Sequence, residues 1–325
     1  MLFAYVPRGT SLVRETVEEA GPIPEGAIWF DLVTPTHLED KLLERVLGVA
    51  VPTREEMQEI EVSSRLYIEN GARYMTATLM CQSDTATPKT TAVTFILAEH
   101  KLVTVRYDEP RPFTLISNKL ARACAPTVAG ESILIELLDA VIDRAADILE
   151  RAGADIDRAS HDIFEPEGRR VDRTLTYRHI FKTIGRKGDL TSKVRESLVS
   201  IGRLVLFLAN EADGMKWPKE MRSQLKSMQR DVQSLSDHSS YLGNKVTFLL
   251  DAMVGVMSIE QNNIIKIFSV AAVVFMPPTL VASIYGMNFK HMPELDWMFG
   301  YPLALVLMLL AAILPYWFFK WKRWL

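Results

Sequence analysis

The chain has 325 residues, 24% of them charged and 48% hydrophobic, with a formal net charge of −3. That length exceeds one ordinary domain, and the near-neutral balance excludes a general nucleic-acid binder, which would be basic. The two cysteines, Cys81 and Cys124, make neither a disulfide framework nor a zinc or redox spacing, which fits a reducing compartment.

Residues 1–112 read as mixed α/β. The start, Met1-Leu2-Phe3-Ala4-Tyr5-Val6-Pro7-Arg8, lacks a basic stretch followed by a long apolar core. No signal peptide is therefore expected, and the polar part is expected to stay in the cytosol. Segments 2–6 and 27–33 have strand character, and a Glu-rich helix is predicted over 54–62. Segments 65–68 and 74–80 flank Glu69-Asn70-Gly71, a hairpin signal because Asn-Gly tolerates positive φ. Segments 91–97 and 102–107 flank a second hairpin turn at Glu99-His100-Lys101.

From about Glu131 the pattern becomes helical. Ile133, Leu137, Leu138, Val141, Ile142, Ala145 and Leu149 recur at helical spacing over 132–163. A polar break holds Pro166 and Gly168, a second long helix is predicted over 177–210, and 212–218 reads as a turn. No proline follows Pro218 until Pro277, so one helix could run from the soluble part into the membrane. About 65 residues would extend roughly 100 Å, a length that needs bundled neighbours.

Two segments, 264–285 and 301–319, approach the ~20 residues that cross a hydrocarbon core. Trp297, Phe299 and Tyr301 cluster at one end of this hairpin, and Tyr316, Trp317, Trp321 and Trp324 at the other, as interfacial aromatics do. Lys320, Lys322 and Arg323 follow the second span, whereas Lys290, His291, Glu294 and Asp296 leave the loop without a basic excess. The positive-inside rule then puts both termini in the cytosol and 286–300 outside. The expected architecture is an α+β cytosolic domain (an α/β sandwich with long helices), a long stalk helix and a two-helix transmembrane hairpin. Its expected parts are the α/β domain 1–130, long helices 131–217, stalk plus first span 218–285, loop 286–300, second span 301–319 and basic tail 320–325.

In steps of three and four, the first span reads Asn262, Ile265, Ser269, Ala272, Met276, Thr279, Ser283, Gly286. This stripe gathers most small and polar residues, at the seam spacing of left-handed bundles. It fits two readings, close helix packing or a pore lining; two spans cannot enclose a pore, so a pore requires several copies. Pro277 and Pro278 read either as a tolerated kink or as a widened cavity. Gly286 reads as the residue that lets the backbone leave the helix. Asn288 is either a helix-end residue or a filter ligand. A ring of Asn carbonyls would suit a hydrated Mg²⁺, which binds oxygen and dehydrates reluctantly.

The run Tyr285-Gly286-Met287-Asn288-Phe289, with Met292-Pro293-Glu294-Leu295, Trp297, Phe299-Gly300-Tyr301-Pro302 and Lys322-Arg323-Trp324-Leu325, closely resembles the CorA family of magnesium transporters. Ile259-Glu260-Gln261-Asn262 and Ile264–Val270 resemble its enterobacterial branch; upstream, Trp29-Phe30-Asp31-Leu32 and Glu59-Ile60-Glu61 resemble the cytosolic domain. The resemblance implies a homopentameric funnel in the bacterial inner membrane, gated by cytosolic Mg²⁺. It implies transport of Mg²⁺, with Co²⁺ and Ni²⁺ as secondary cargo, and no organic cofactor. It implies that Gly286, Met287 and Asn288 bind the hydrated ion, that Asn262 and Thr279 form polar rings, and that Ile265, Phe268 and Met276 form constrictions. Asp251 maps to an acidic ring at the cytoplasmic mouth, and Asp231 and Asp237 are candidates for regulatory metal sites. Lys290 stands where the family often has an acid, which weakens the field at the outer mouth although Glu294 and Asp296 remain.

A zinc transporter of the related ZntB type is the alternative, although no Cys/His cluster lies near the span except His291. A third reading, an enzyme tethered by the two spans, lacks any G-x-S-x-G, P-loop, H-E-x-x-H or dinucleotide fingerprint, so no enzyme is expected.

Overall fold

The computed structural model describes residues 1–19, 21–124, 128–165, 173–288, 292–293 and 297–322. It forms two compact units, Met1–Leu249 and Leu250–Leu325.

The first unit is built on a seven-stranded sheet: β1 (Leu2–Arg8), β2 (Ser11–Val17), β3 (Trp29–Val33), β4 (Leu66–Glu69), β5 (Ala72–Cys81), β6 (Lys89–Ala98) and β7 (Lys101–Arg106). Their order is β2-β1-β3-β7-β6-β5-β4, antiparallel except for the parallel pair β3–β7, where Asp31 registers with Thr104. The Asn-Gly hairpin is as predicted: Asn70 and Gly71 have φ of 48° and 77°, and Glu69 pairs with Ala72. The second hairpin is closed by Ala98 against Lys101, with Glu99 at φ 52°.

Between β3 and β4 lies α1 (His37–Leu47), entered through a capping box in which Thr36 and Glu39 exchange backbone and side-chain hydrogen bonds. Leu43, Val49, Val51 and Met57 from this stretch cover one sheet face, packing with Phe30, Leu32, Val103 and Val105. The helix predicted over 54–62 is not there. Instead a 3-10 turn, Glu56–Gln58, and a four-residue helix α2 (Val62–Arg65) flank extended residues Glu59 and Glu61. Only Met57 of the turn is buried, so the segment has no apolar face to hold a helix, and its closely spaced glutamates repel. Three elements unassigned in the sequence reading are β2, α1 and α3 (Arg111–Arg122).

Next come α4 (Gly130–Phe164), α5 (Arg173–Gly214) and α6 (Lys219–Tyr285). Up to Leu249, α6 buries Leu225, Met228, Val232, Leu242, Val246 and Leu249. With half-buried Leu235 and buried Ser239 between Val232 and Leu242, these form one stripe at three- and four-residue steps. Glycines permit close antiparallel approach to α5: a Cβ at Gly202 would lie 3.2 Å from Val232, and one at Gly188 would lie 3.0 Å from Val246.

β4 pairs with β5 only as far as Met75, leaving the rest of that edge open. Helix α5 closes it with hydroxyls. Thr78 N–H donates to Ser200 Oγ at 2.9 Å, and Ser197 Oγ donates to Thr78 O at 2.7 Å. An unpaired edge is thereby satisfied and protected from adventitious strand addition.

Candidate pore helix and metal-selecting motif

The second unit consists of α6 from Leu250 onward and α7 (Gly300–Trp321). Both helices are long and apolar enough to cross a membrane. Among their described residues only Met253, Val270, Gly300 and Ala304 are buried. Phe268 and Met276 are 72% and 68% exposed, and Ile264, Ile267, Phe275, Leu280 and Ile284 are exposed on the other faces. A soluble monomer does not expose apolar surface all round two helices, so lipid or further copies must cover it.

The candidate residues all lie along one element. Asp231 and Asp237 are exposed on the early turns of α6, and Asp251 is exposed near the start of the second unit. Asn262, Ile265, Phe268, Met276 and Thr279 follow on the same helix, all exposed. Thr279 Oγ1 donates to Phe275 O at 2.7 Å and Ser283 Oγ to Thr279 O at 2.8 Å, so both hydroxyls turn back on the helix. Pro277 and Pro278 lie inside the helix without ending it. Lacking N–H groups, they deprive the carbonyls of Val273 and Val274 of their helical donors. Two such oxygens are tolerable in a membrane only beside water or another polar group.

The helix ends at Tyr285, and Gly286 N–H donates to Ala282 O at 2.9 Å. The backbone leaves the helix at Gly286 as expected, but without positive φ, so conformational freedom is not what calls for a glycine here. The structural reason is room: a Cβ would sit 3.1 Å from Ala282 O. Met287 and Asn288 follow, both exposed, with Met287 N–H donating to Ile284 O at 3.3 Å. Glu294 and Asp296 lie outside the described residues.

No group of three or more His, Cys, Asp or Glu side chains among the described residues has metal-holding geometry. The two regulatory candidates differ in surroundings. Asp237 Oδ1 accepts from Gln233 Nε2 at 3.1 Å. Asp231 lies near Asp139 of α4; desolvation, then the charges of Asp143 and Asp231, push the Asp139 carboxyl up. These acids feel one another's charge without sharing ligand geometry. The sequence reading did not single out Asp139 and Asp143, although their spacing of four on a predicted helix was a usable signal.

This architecture defines the class: a membrane protein with a large α+β domain and two C-terminal membrane-spanning helices. The family model described as "CorA-like Mg2+ transporter protein" matches residues 24–323. The magnesium transport protein CorA of Escherichia coli K12 is 36% identical over 100% of both chains. Among solved structures, the complete CorA magnesium transporter of Methanocaldococcus jannaschii superposes with a TM-score of 0.74 at 18% identity, covering 100% of this chain and 99% of that one. The ZntB cytoplasmic domain of Vibrio parahaemolyticus does so with a TM-score of 0.59 at 12% identity, over 79% of this chain and 97% of that one. The chain belongs to the CorA-like Mg²⁺ transporter family. It is accordingly a transporter-family protein and not an enzyme.

Proposed function

We propose that this chain forms a homopentameric channel that admits Mg²⁺ across the bacterial inner membrane, with Co²⁺ and Ni²⁺ as secondary cargo. One observation carries the reading: a span with small and polar residues at alternating three- and four-residue steps leads directly into an exposed Gly286-Met287-Asn288. Pore lining also gives the Asn262 amide a polar medium, which an interface of apolar helices would not. Copies of the chain would close the ring, placing Asn262 and Thr279 as polar girdles and Ile265, Phe268 and Met276 as constrictions. Asp251 would concentrate cations at the inner mouth, while Glu294 and Asp296 would do so outside.

The filter chemistry follows from the ion. Mg²⁺ holds its waters tightly, so a selective mouth contacts the hydrated ion through neutral oxygens rather than stripping it. Asn288 amide oxygens supply such acceptors. Entry needs no coupled reaction, because an inside-negative potential contributes about 4.6 kcal/mol per 100 mV for a divalent ion.

Gating rests on differential binding. Cytosolic Mg²⁺ occupying acidic sites between subunits would favour the closed state, and its loss would leave the carboxylates to repel. Of the two candidates, Asp231 already feels a second carboxylate of its own chain, Asp139, whose repulsion a bound cation would relieve.

The likeness to the ZntB domain is one of fold and does not favour zinc. The stripe offers no His or Cys, the ligands zinc prefers over hydrated-ion recognition. The test is uptake by liposomes holding purified protein under an inside-negative potential. Mg²⁺ should enter and equimolar Zn²⁺ should not displace it; Zn²⁺ uptake without Mg²⁺ uptake would replace this reading with the zinc one.

A further inference from the structure

A cavity of about 520 Å³ opens in the soluble unit beside the α5-covered edge of β5. That volume falls within the range of small-molecule sites. Three arginines, Arg65, Arg195 and Arg203, line it against one acid, Glu196.

Each arginine has a local reason for being there. Arg65 ends α2, and Nη1 donates to Thr78 Oγ1 at 3.1 Å while Nε donates to Glu59 O. Its guanidinium is therefore fixed at the cavity wall. On α5, Arg195, Val199 and Arg203 follow one another at four-residue steps and form one stripe. Both α5 arginines are exposed and form no ion pair among the described residues.

The wall is rich in donors. Ser200 Oγ accepts the Thr78 N–H, so its own proton remains uncommitted, and Ser192 adds another hydroxyl. Between the charged groups sits an apolar ledge of Val199, Ile60 and Val62, with Ile60 89% exposed. Fixed and free guanidiniums around such a ledge match a ligand with an anionic end and a flat apolar end. Arginine forks suit phosphate oxygens, and they also stack on rings.

We propose that this cavity binds a nucleotide-sized organic phosphate, its phosphates on Arg65, Arg195 and Arg203 and its ring on the Val199 ledge. Glu196, shared with an adjoining cavity of about 230 Å³, supplies the acceptor that a ribose diol or an exocyclic amine requires. The site lies in the soluble unit, independent of how ions pass the membrane.

The experiment is calorimetric titration of the full-length detergent-solubilised protein with ATP, pyrophosphate and adenosine, free Mg²⁺ being held constant. ATP should bind the wild type, pyrophosphate more weakly, and adenosine not measurably. The double variant Arg195→Gln/Arg203→Gln should weaken ATP binding at least tenfold with an unchanged thermal midpoint, since both side chains are exposed. Val199→Glu, which places a carboxylate on the ledge, should do the same and serves as the second variant. No ATP binding by the wild type, undiminished binding by both variants, or adenosine binding as tightly as ATP would each overturn the proposal. Pyrophosphate binding as tightly as ATP would contradict the ledge.

Discussion

Arg106 Nη2 meets Asp31 Oδ2 at 2.8 Å inside the sheet, with Nε 3.1 Å from Oδ1. The pair joins the two parallel strands, β3 and β7. Thr104 Oγ1 donates to the same carboxylate at 2.7 Å, Trp29 Nε1 donates to Thr104 Oγ1 at 3.0 Å, and the Arg106 guanidinium lies over the Phe113 ring. Asp31 is 1% exposed, so the charge tolerates burial only because the fork and the hydroxyl satisfy it. Removing Arg106 leaves that carboxylate buried and unpaired. Arg106→Leu should therefore cost about 3–5 kcal/mol, read as a large drop in the thermal midpoint of the soluble unit within the full chain. A change below about 1 kcal/mol would mean that water reaches the carboxylate.

The clasp between α5 and β5 carries a smaller prediction. Ser197→Ala removes the donor to a buried carbonyl, that of Thr78. Leaving one such group unsatisfied costs about 1–3 kcal/mol. Hydrogen exchange should quicken locally at the residues of β5 beyond Met75, where α5 takes the place of β4. Unchanged protection there would argue against the clasp.

The pair His100–Glu131 predicts a pH dependence. His100 Nδ1 lies 2.8 Å from Glu131 Oε1, and that hydrogen bond, with the Glu131 charge, pushes the imidazole up from its ordinary value. A raised folded-state value means that the pairing stabilises fully below the unfolded value of about 6.5 and is lost as pH rises through the folded one. Wild type should thus exceed His100→Gln in thermal midpoint in mildly acidic buffer, with the gap closing at alkaline pH. A gap independent of pH would show that the contact is not ionic.

Gly286 yields a functional prediction. With only 3.1 Å between a new Cβ and Ala282 O, Gly286→Ala requires that carbonyl or the helix end presenting Asn288 to give by a few tenths of an ångström. Mg²⁺ flux should fall at least tenfold while the oligomer still assembles, measured by uptake and by size-exclusion chromatography. Full flux would mean that the close approach has no bearing on the mouth.

The sequence showed most clearly what is local. Asn70-Gly71 marked a hairpin because positive φ is a property of those residues, and the long helices showed in their spacing. The edge strand β2 did not, since only Leu12 and Val17 of its seven residues are buried and its polar outer face resembles a loop. The capping signal Thr36…Glu39 for α1 was present but unused, and 54–62 failed because glutamate propensity without an apolar face does not hold a helix. The motif Gly286-Met287-Asn288 and the stripe before it are contiguous in sequence, so the proposed filter and lining could be put forward without knowledge of the tertiary packing. The proximity of Asp139 and Asp231, and the gathering of Arg65 with Arg195 and Arg203, depend on tertiary packing across long sequence separations. No local pattern encodes such pairs.

The central claim is that Asn288 selects the hydrated ion at the mouth of an oligomeric pore. Its most direct test is Mg²⁺ uptake by proteoliposomes, comparing wild type with Asn288→Ala at equal reconstituted protein. The account predicts rapid uptake by the wild type and near-complete loss in the variant, with assembly unchanged. Equal uptake by both would contradict it.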